Sequence, residues 1–165
     1  MLFLALLGLI SNSSLAMDNV IKVKFDDGVS INLDLDEAVK IIDHHKETSF
    51  GIKGKPSYMA PGNVKITELS GMNSDKTKER SWTLVQLPPG SSTAKHSHHV
   101  ATEEHYAVTE LTLEVAGIDH GLQAGQFFKV TPKTAHRIKN TTSQNAVILV
   151  KSTPAGMRSD LAIEQ

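Results

Sequence analysis

The chain has 165 residues, enough for one domain around one core and too few for two of ordinary size. Its net charge of −1, with no stripe of lysine or arginine, excludes an electrostatic nucleic-acid binder, while 39% apolar and 21% charged residues are the balance of a soluble globular protein. There is no cysteine, so disulfides and thiolate ligands are excluded and any metal ion must be held by nitrogen and oxygen.

Leu2 to Ile10 is an apolar run, too short to span a bilayer, followed by small polar residues and Ser14-Leu15-Ala16. Residues 1–16 read as a secretory signal peptide with a small-x-Ala cleavage site, which gives a mature chain starting near Met17, exported to the periplasm or secreted. The run carries no Lys or Arg ahead of it; the other reading takes Met17 as the initiator and leaves the protein in the cytoplasm.

Ile21 to Phe25 alternates apolar and charged residues, Asp26-Asp27-Gly28 supplies a turn, and Val29 to Leu33 alternates again, which predicts a β-hairpin. Asp34 to Lys46 predicts a short helix: Asp34 or Asp36 caps it, and Leu35, Val39 and Ile42 share a face. His44 and His45 then sit exposed at its C-terminal end, where imidazolium suits the helix dipole. Residues 51–62 read as a Gly/Pro/Lys loop, Asn63 to Leu69 as a strand, and Gly71 to Glu79 as a mobile surface segment. Short strands follow over Trp82–Leu87, Lys95–His99, Glu104–Val115, Gln126–Thr131 and Ala146–Ser152, divided by turn residues. This is the pattern of an all-β sandwich or barrel. The organisation is therefore an N-terminal part (17–80) packed on a barrel core (81–153), with a patternless tail (154–165).

Six of the eight histidines lie between positions 96 and 136. His96 and His98, two apart on a strand, project to one face and can chelate one ion, and His99 projects to the other. Only one of Glu103 and Glu104 can face inward with them. Glu104 brings Tyr106 and Val108 inside, while Glu103 brings His105, Ala107 and Thr109; the first set makes the better interior, so Glu104 is the favoured ligand and Glu103 the alternative. His136 completes a set of three nitrogens and one oxygen, suited to Fe, Mn, Ni, Co, Cu or Zn as divalent ions. His99 and His105 are expected to point outward and His120 to be solvated in a turn. Trp82 and Tyr106 are expected in the core, Phe127 and Phe128 on opposite faces, and Arg137 either in a surface salt bridge or facing an anionic substrate.

In this order the residues resemble the two motifs of the cupin superfamily. Gly90, His96, His98 and the acid follow the first motif, and Gly125, Pro132, His136 and Asn140 the second. Leu87-Pro88-Pro89-Gly90 resembles the usual lead into the first motif, and residues 111–125 the hairpin between the two. The likeness covers Trp82 to Ser152. It departs where Glu104 stands one place beyond the expected spacing from His98, a spacing that Glu103 restores, and where Leu111 and Lys133 replace turn glycines that offer φ > 0 at little cost. The resemblance implies a double-stranded β-helix (jelly-roll) barrel with one divalent metal ion. It also implies a small organic molecule as ligand or substrate, handled by a dioxygenase, isomerase, decarboxylase or lyase. The alternative is a non-catalytic exported binder of a metal or small ligand, because the fold hosts both. It further implies a homodimer through N-terminal strands, which makes residues 20–33 the candidate interface. No nucleophile–base pair is present, so Ser/His/Asp catalysis has no support, and no membrane span is expected.

Overall fold

The computed structural model describes residues 20–156 and 158–164, so the signal-peptide reading of residues 1–16 lies outside the described residues. The predicted hairpin is present as β1 (Val20–Lys24) and β2 (Ser30–Asp34). Its turn is closed by the Phe25 N–H donating to Val29 O at 2.7 Å, with Gly28 at φ 88° supplying the left-handed residue.

The predicted helix is not formed. The Asp34 carboxylate accepts the N–H groups of Asp36 and Glu37 at 3.0 and 3.3 Å, and the chain reverses there instead of starting a helix. It continues as β3 (Ala38–Asp43) and β4 (Lys46–Gly51) in a four-stranded meander. The helical face of Leu35, Val39 and Ile42 loses to the period-two face of Val39 and Ile41, 0% and 3% exposed, because the open edge of β2 offers a complete ladder to β-branched residues. His44 and His45 form the two-residue loop between β3 and β4, both at positive φ (45° and 73°), the geometry of a primed hairpin turn. Their exposure matches the expectation although the element does not.

The barrel consists of β5 (Ser57–Ala60), β6 (Val64–Ser70), β7 (Ser81–Leu87), β8 (His96–His98), β9 (Thr102–Ala107), β10 (Leu111–Val115), β11 (Ile118–Leu122), β12 (Phe127–Val130), β13 (His136–Lys139), β14 (Ala146–Thr153) and β15 (Leu161–Ile163). A five-stranded sheet runs β11-β10-β13-β8-β15 and a six-stranded sheet β12-β9-β14-β7-β6-β5, giving the expected all-β jelly roll. Several predicted features differ. The segment read as a loop over 51–62 contains β5, and the patternless tail supplies β15, whose ladder partner is β8. The 71–79 segment is a pinned turn, with the Glu68 carboxylate accepting from the backbones of Asn73 and Ser74 and Asp75 accepting from Ser70 and Gly71.

Two cores result. Val64, Val85, Leu87, Ala107, Leu113, Ile138, Ile148 and Val150 pack inside the barrel. Phe25, Ile31, Leu33, Val39 and Ile41 of the meander pack on Trp82, Leu84, Tyr106, Val147 and Leu149, which form the outer face of the six-stranded sheet. β7, β9 and β14 are therefore buried on both faces, and β14 reads as a nearly unbroken apolar run. Where the meander meets the barrel, Gly125 (φ 88°) lies so close that a Cβ there would sit 2.9 Å from Lys24 O. The meander spends the apolar face of residues 20–33 on this internal contact and leaves β1 as an edge strand.

Candidate metal centre

β8 is three residues long and carries two of the predicted ligands. Its partner β13 begins at His136, which pairs directly with His96. β9 belongs to the facing sheet and presents Glu103. One ligand atom from each of His96, His98, Glu103 and His136 can be chosen so that all lie within 4.8 Å of one another. His98, Glu103 and His136 are buried, and His96 is half-buried. Glu103 sits among the imidazoles: Oε2 is 2.9 Å from His136 Nε2 and Oε1 is 3.2 Å from His98 Nε2.

The tautomers follow from the neighbours. Nδ1 of His96 lies 2.8 Å from Ala94 O and Nδ1 of His136 3.0 Å from Thr134 O. A carbonyl oxygen only accepts, so both Nδ1 atoms carry hydrogen and the Nε2 of each neutral ring is a lone pair. At His136 that lone pair faces a carboxylate oxygen. Two acceptors at 2.9 Å repel unless a proton or a cation stands between them. His98 has both nitrogens buried with no directed hydrogen bond, though Asp160 Oδ2 is 3.3 Å from Nδ1. Acceptor nitrogens and a carboxylate converging in a buried space, with Nδ1 groups tied behind them, fit a divalent metal ion.

The electrostatics agree with that convergence. Burial alone would raise the Glu103 pKa, but its contacts with His136, His98 and His105 outweigh burial and hold it well below the usual carboxylate range. Burial lowers His96. At His98 burial also pulls down, yet Glu103 and Asp160 together prevail and raise it.

Comparison with known proteins joins these observations. The cupin domain family matches residues 83–151. Residues 83–151 of the barrel are a cupin domain. Solved structures similar to it include Streptomyces Pac13 with uridine (12% identity, 70% of this chain and 89% of that one, TM-score 0.58). A predicted oxalate decarboxylase from Thermotoga maritima is similar at 23% identity, over 64% and 97% of the two chains, with a TM-score of 0.56. A third is a double-stranded β-helix protein from Klebsiella pneumoniae (18% identity, 66% and 91%, TM-score 0.55). At these identities the likeness is one of fold. No curated protein matches the chain.

Within the cupin barrel it is Glu103, the alternative, and not the favoured Glu104, that is brought together with the three histidines. Glu104 lies on the outer face of β9, where its carboxylate accepts from Tyr106 Oη at 2.8 Å and from Lys151 Nζ at 3.0 Å. The premise that the better apolar set faces the barrel interior fails because both faces of β9 are covered. Tyr106 and Val108 are buried beneath the N-terminal meander, with Phe25 edge-on to Tyr106 at 5.3 Å. His105 is also corrected: it points inward, 1% exposed, with its ring centroid 5.3 Å from His136 and Nε2 3.4 Å from Glu103 Oε2. Burial pushes it down to about 4, so it is neutral near pH 7.

Asp160 has no counterpart in the sequence reading. It stands just before β15, accepts the N–H groups of Val100 (2.8 Å) and Ala101 (3.2 Å), and flanks His98. Ser152, also unforeseen, donates to Glu103 Oε1 at 2.9 Å. Neither carries a local signal, because each acts through a strand pairing distant in sequence. Of the two motif departures, Leu111 is buried at the start of β10 with no need of positive φ, whereas Lys133 keeps the left-handed turn (φ 63°) and donates its N–H to His98 O at 2.6 Å. Asn140 ties two loops, donating to Leu87 O and Gln144 O. Arg137 forms the surface salt bridge, with Nη2 2.7 Å from Glu114. His120 is not in a turn but on β11, packed on Phe128 with centroids 4.6 Å apart. That pair borders a cavity of about 400 Å³ at the β11–β12 turn, which none of the four candidate ligands lines. No helix among the described residues is long and apolar enough to cross a membrane.

Proposed function

We propose that this protein is a metal-dependent cupin that binds one divalent transition-metal ion through His96, His98, Glu103 and His136 and acts on a small organic molecule. The observation that carries this reading is the convergence of one ligand atom from each of His96, His98, Glu103 and His136 within 4.8 Å of one another, with Nδ1 of His96 and of His136 tied to carbonyl oxygens behind them. The ion when bound supplies a Lewis acid able to polarise a carbonyl or carboxylate oxygen. The protein's part is positioning. Ala94 and Thr134 hold the His96 and His136 rings from behind, Asp160 stands behind His98, and Ser152 and His105 flank the Glu103 carboxylate. Four protein ligands leave room for substrate on a six-coordinate ion. Structural neighbours that act on or bind small molecules, by name an oxalate oxidase and Pac13 with uridine, are compatible with such a role. The apolar run Leu2 to Ile10 with Ser14-Leu15-Ala16 supports export, and the open edge of β1 supports a homodimer.

The reading is tested by stripping and reloading the protein with each of the six candidate ions and screening small acids, phenols and sugars for turnover or oxygen uptake. Turnover that appears with one ion and disappears on chelation supports an enzyme. Ligand binding without turnover across the screen makes the protein a non-catalytic binder.

A further inference from the structure

Residues paired across an antiparallel ladder point to the same face, so the inner wall of the barrel can be followed strand by strand. On β15, Leu161 pairs with His98 and Ile163 with His96, which places both apolar side chains on the face that carries the histidines. They are 36% and 58% exposed. On the opposite sheet Thr83 pairs with Val150, and Ile66 pairs with Val85 and Tyr58. Val85 and Val150 belong to the inner core, so Thr83, Ile66 and Tyr58 face inward as well. Thr83 and Ile66 are only partly buried, and Tyr58 is 63% exposed. At the β15 edge the inner wall is thus apolar and open to solvent; at the β5–β6 edge it carries Tyr58, Ile66 and Thr83, with Glu68, the partner of Thr83, held by the backbones of Asn73 and Ser74.

The same registers sort the charges. Among the described barrel strands no lysine or arginine falls on the inner face. Lys129 and Lys151 pair with Glu104 on the outer face, Lys139 stands beside Thr112, and Arg137 beside Glu114. A divalent ion offset by one carboxylate stays cationic, so on this wall it is the group that attracts negative charge.

We propose that the wall takes a small organic anion, with its carboxylate or enolate end directed to the metal ion and its apolar body laid along Leu161 and Ile163. The two side chains set the preference for the length of that body. This rests on the metal reading above. A second copy of the chain covering β15 is the competing occupant.

The experiment uses the full chain loaded with cobalt(II), whose visible spectrum reports both metal uptake and ligand binding. It is titrated with pyruvate, 2-oxohexanoate and the neutral 2-hexanone. Burial of a methylene strengthens binding roughly fourfold. With its three extra methylenes partly buried, 2-oxohexanoate is expected to bind at least about tenfold tighter than pyruvate. 2-Hexanone is expected not to perturb the spectrum. Leu161→Ser and Ile163→Ser should each lower the 2-oxohexanoate/pyruvate ratio several-fold while cobalt affinity stays at the wild-type value. Cobalt uptake with equal binding of the two acids overturns the inference alone, as does an unchanged ratio in both variants or a dimer that dissociates in Ile163→Ser with the ratio intact. Failure of the wild-type protein to take up cobalt overturns the metal reading and this inference with it.

Discussion

The Asp160 carboxylate lies 3.3 Å from Nδ1 of His98 and accepts the backbone N–H groups of Val100 and Ala101. The C-terminal segment therefore holds both the strand end and the ring of a candidate ligand. Carboxylates behind metal-bound imidazoles fix the ring and raise its basicity, and their loss costs about 10–100-fold in metal affinity. Asp160→Ala is expected to weaken metal binding by about that factor and to lower stability by about 1–3 kcal/mol, because two backbone N–H groups, that of Ala101 buried, lose their acceptor. Asp160→Asn, which still accepts hydrogen bonds, should fall between. Competitive metal titration with thermal melts of the metal-free forms separates the two effects; unchanged affinity in Asp160→Ala rejects the positioning role.

The two adjacent acids provide an internal control. Glu103→Gln should strip the metal, since Glu103 lies among three imidazoles, whereas Glu104→Gln should keep it and lose only a partly exposed pair with Lys151. The cost of the second change is expected to be about 1 kcal/mol or less. Metal analysis of both variants checks the assignment; retention in Glu103→Gln or loss in Glu104→Gln reverses it.

Much of this arrangement is legible in the sequence, and the failures have physical causes. Alternation and turn residues locate the first hairpin and several barrel strands, though Glu104 to Val115, read as one strand, is divided into β9 and β10 on opposite sheets, and the two histidine motifs identify the fold. The choice of acid fails because strand periodicity marks a buried face only when the other face is wet. The N-terminal meander covers Tyr106 and Val108, so β9 has no wet face to read. The same meander turns the helix-like pattern at Val39 into a strand, by offering it a sheet edge. Asp160 and Ser152 escape notice because their roles depend on contacts that one-dimensional patterns do not encode. At Lys133 the departure from the motif changes the residue and leaves the backbone conformation in place.

That residue gives a stability test. A non-glycine residue in the left-handed region costs roughly 1–2 kcal/mol, partly offset by the extra chain entropy that glycine brings to the unfolded state. Lys133→Gly is expected to be neutral or to stabilise by up to about 1 kcal/mol, with metal content unchanged. Gly125→Ala is the converse. It meets both the φ penalty and Lys24 O at 2.9 Å, and should destabilise by about 2–3 kcal/mol. Chemical denaturation of the two variants decides; a destabilised Lys133→Gly would show that its side chain contributes more than its backbone costs.

The response to pH differs between metal-free and loaded protein. His98 has a raised pKa in the metal-free fold, so the stability it contributes is fully present below its unfolded pKa and is lost as pH rises through its folded value. Glu103, held low, contributes stability above the carboxylate range that is lost only in acid. Metal binding demands neutral imidazoles, so loading should stabilise more as pH rises. The gap in melting temperature between loaded and metal-free protein is expected to widen from about pH 5 to about pH 8, across the range in which histidine titrates. A gap that stays constant or narrows over that range contradicts the imidazole ligand set.

The central claim is most directly measured by the metal content of protein purified without an affinity tag, alongside His98→Ala and His136→Ala. One divalent ion per chain in the wild-type protein, with loss of the ion and a lower melting temperature in both variants, is the expected result. A folded wild-type protein that binds none of the candidate ions, or full occupancy in both variants, would contradict it.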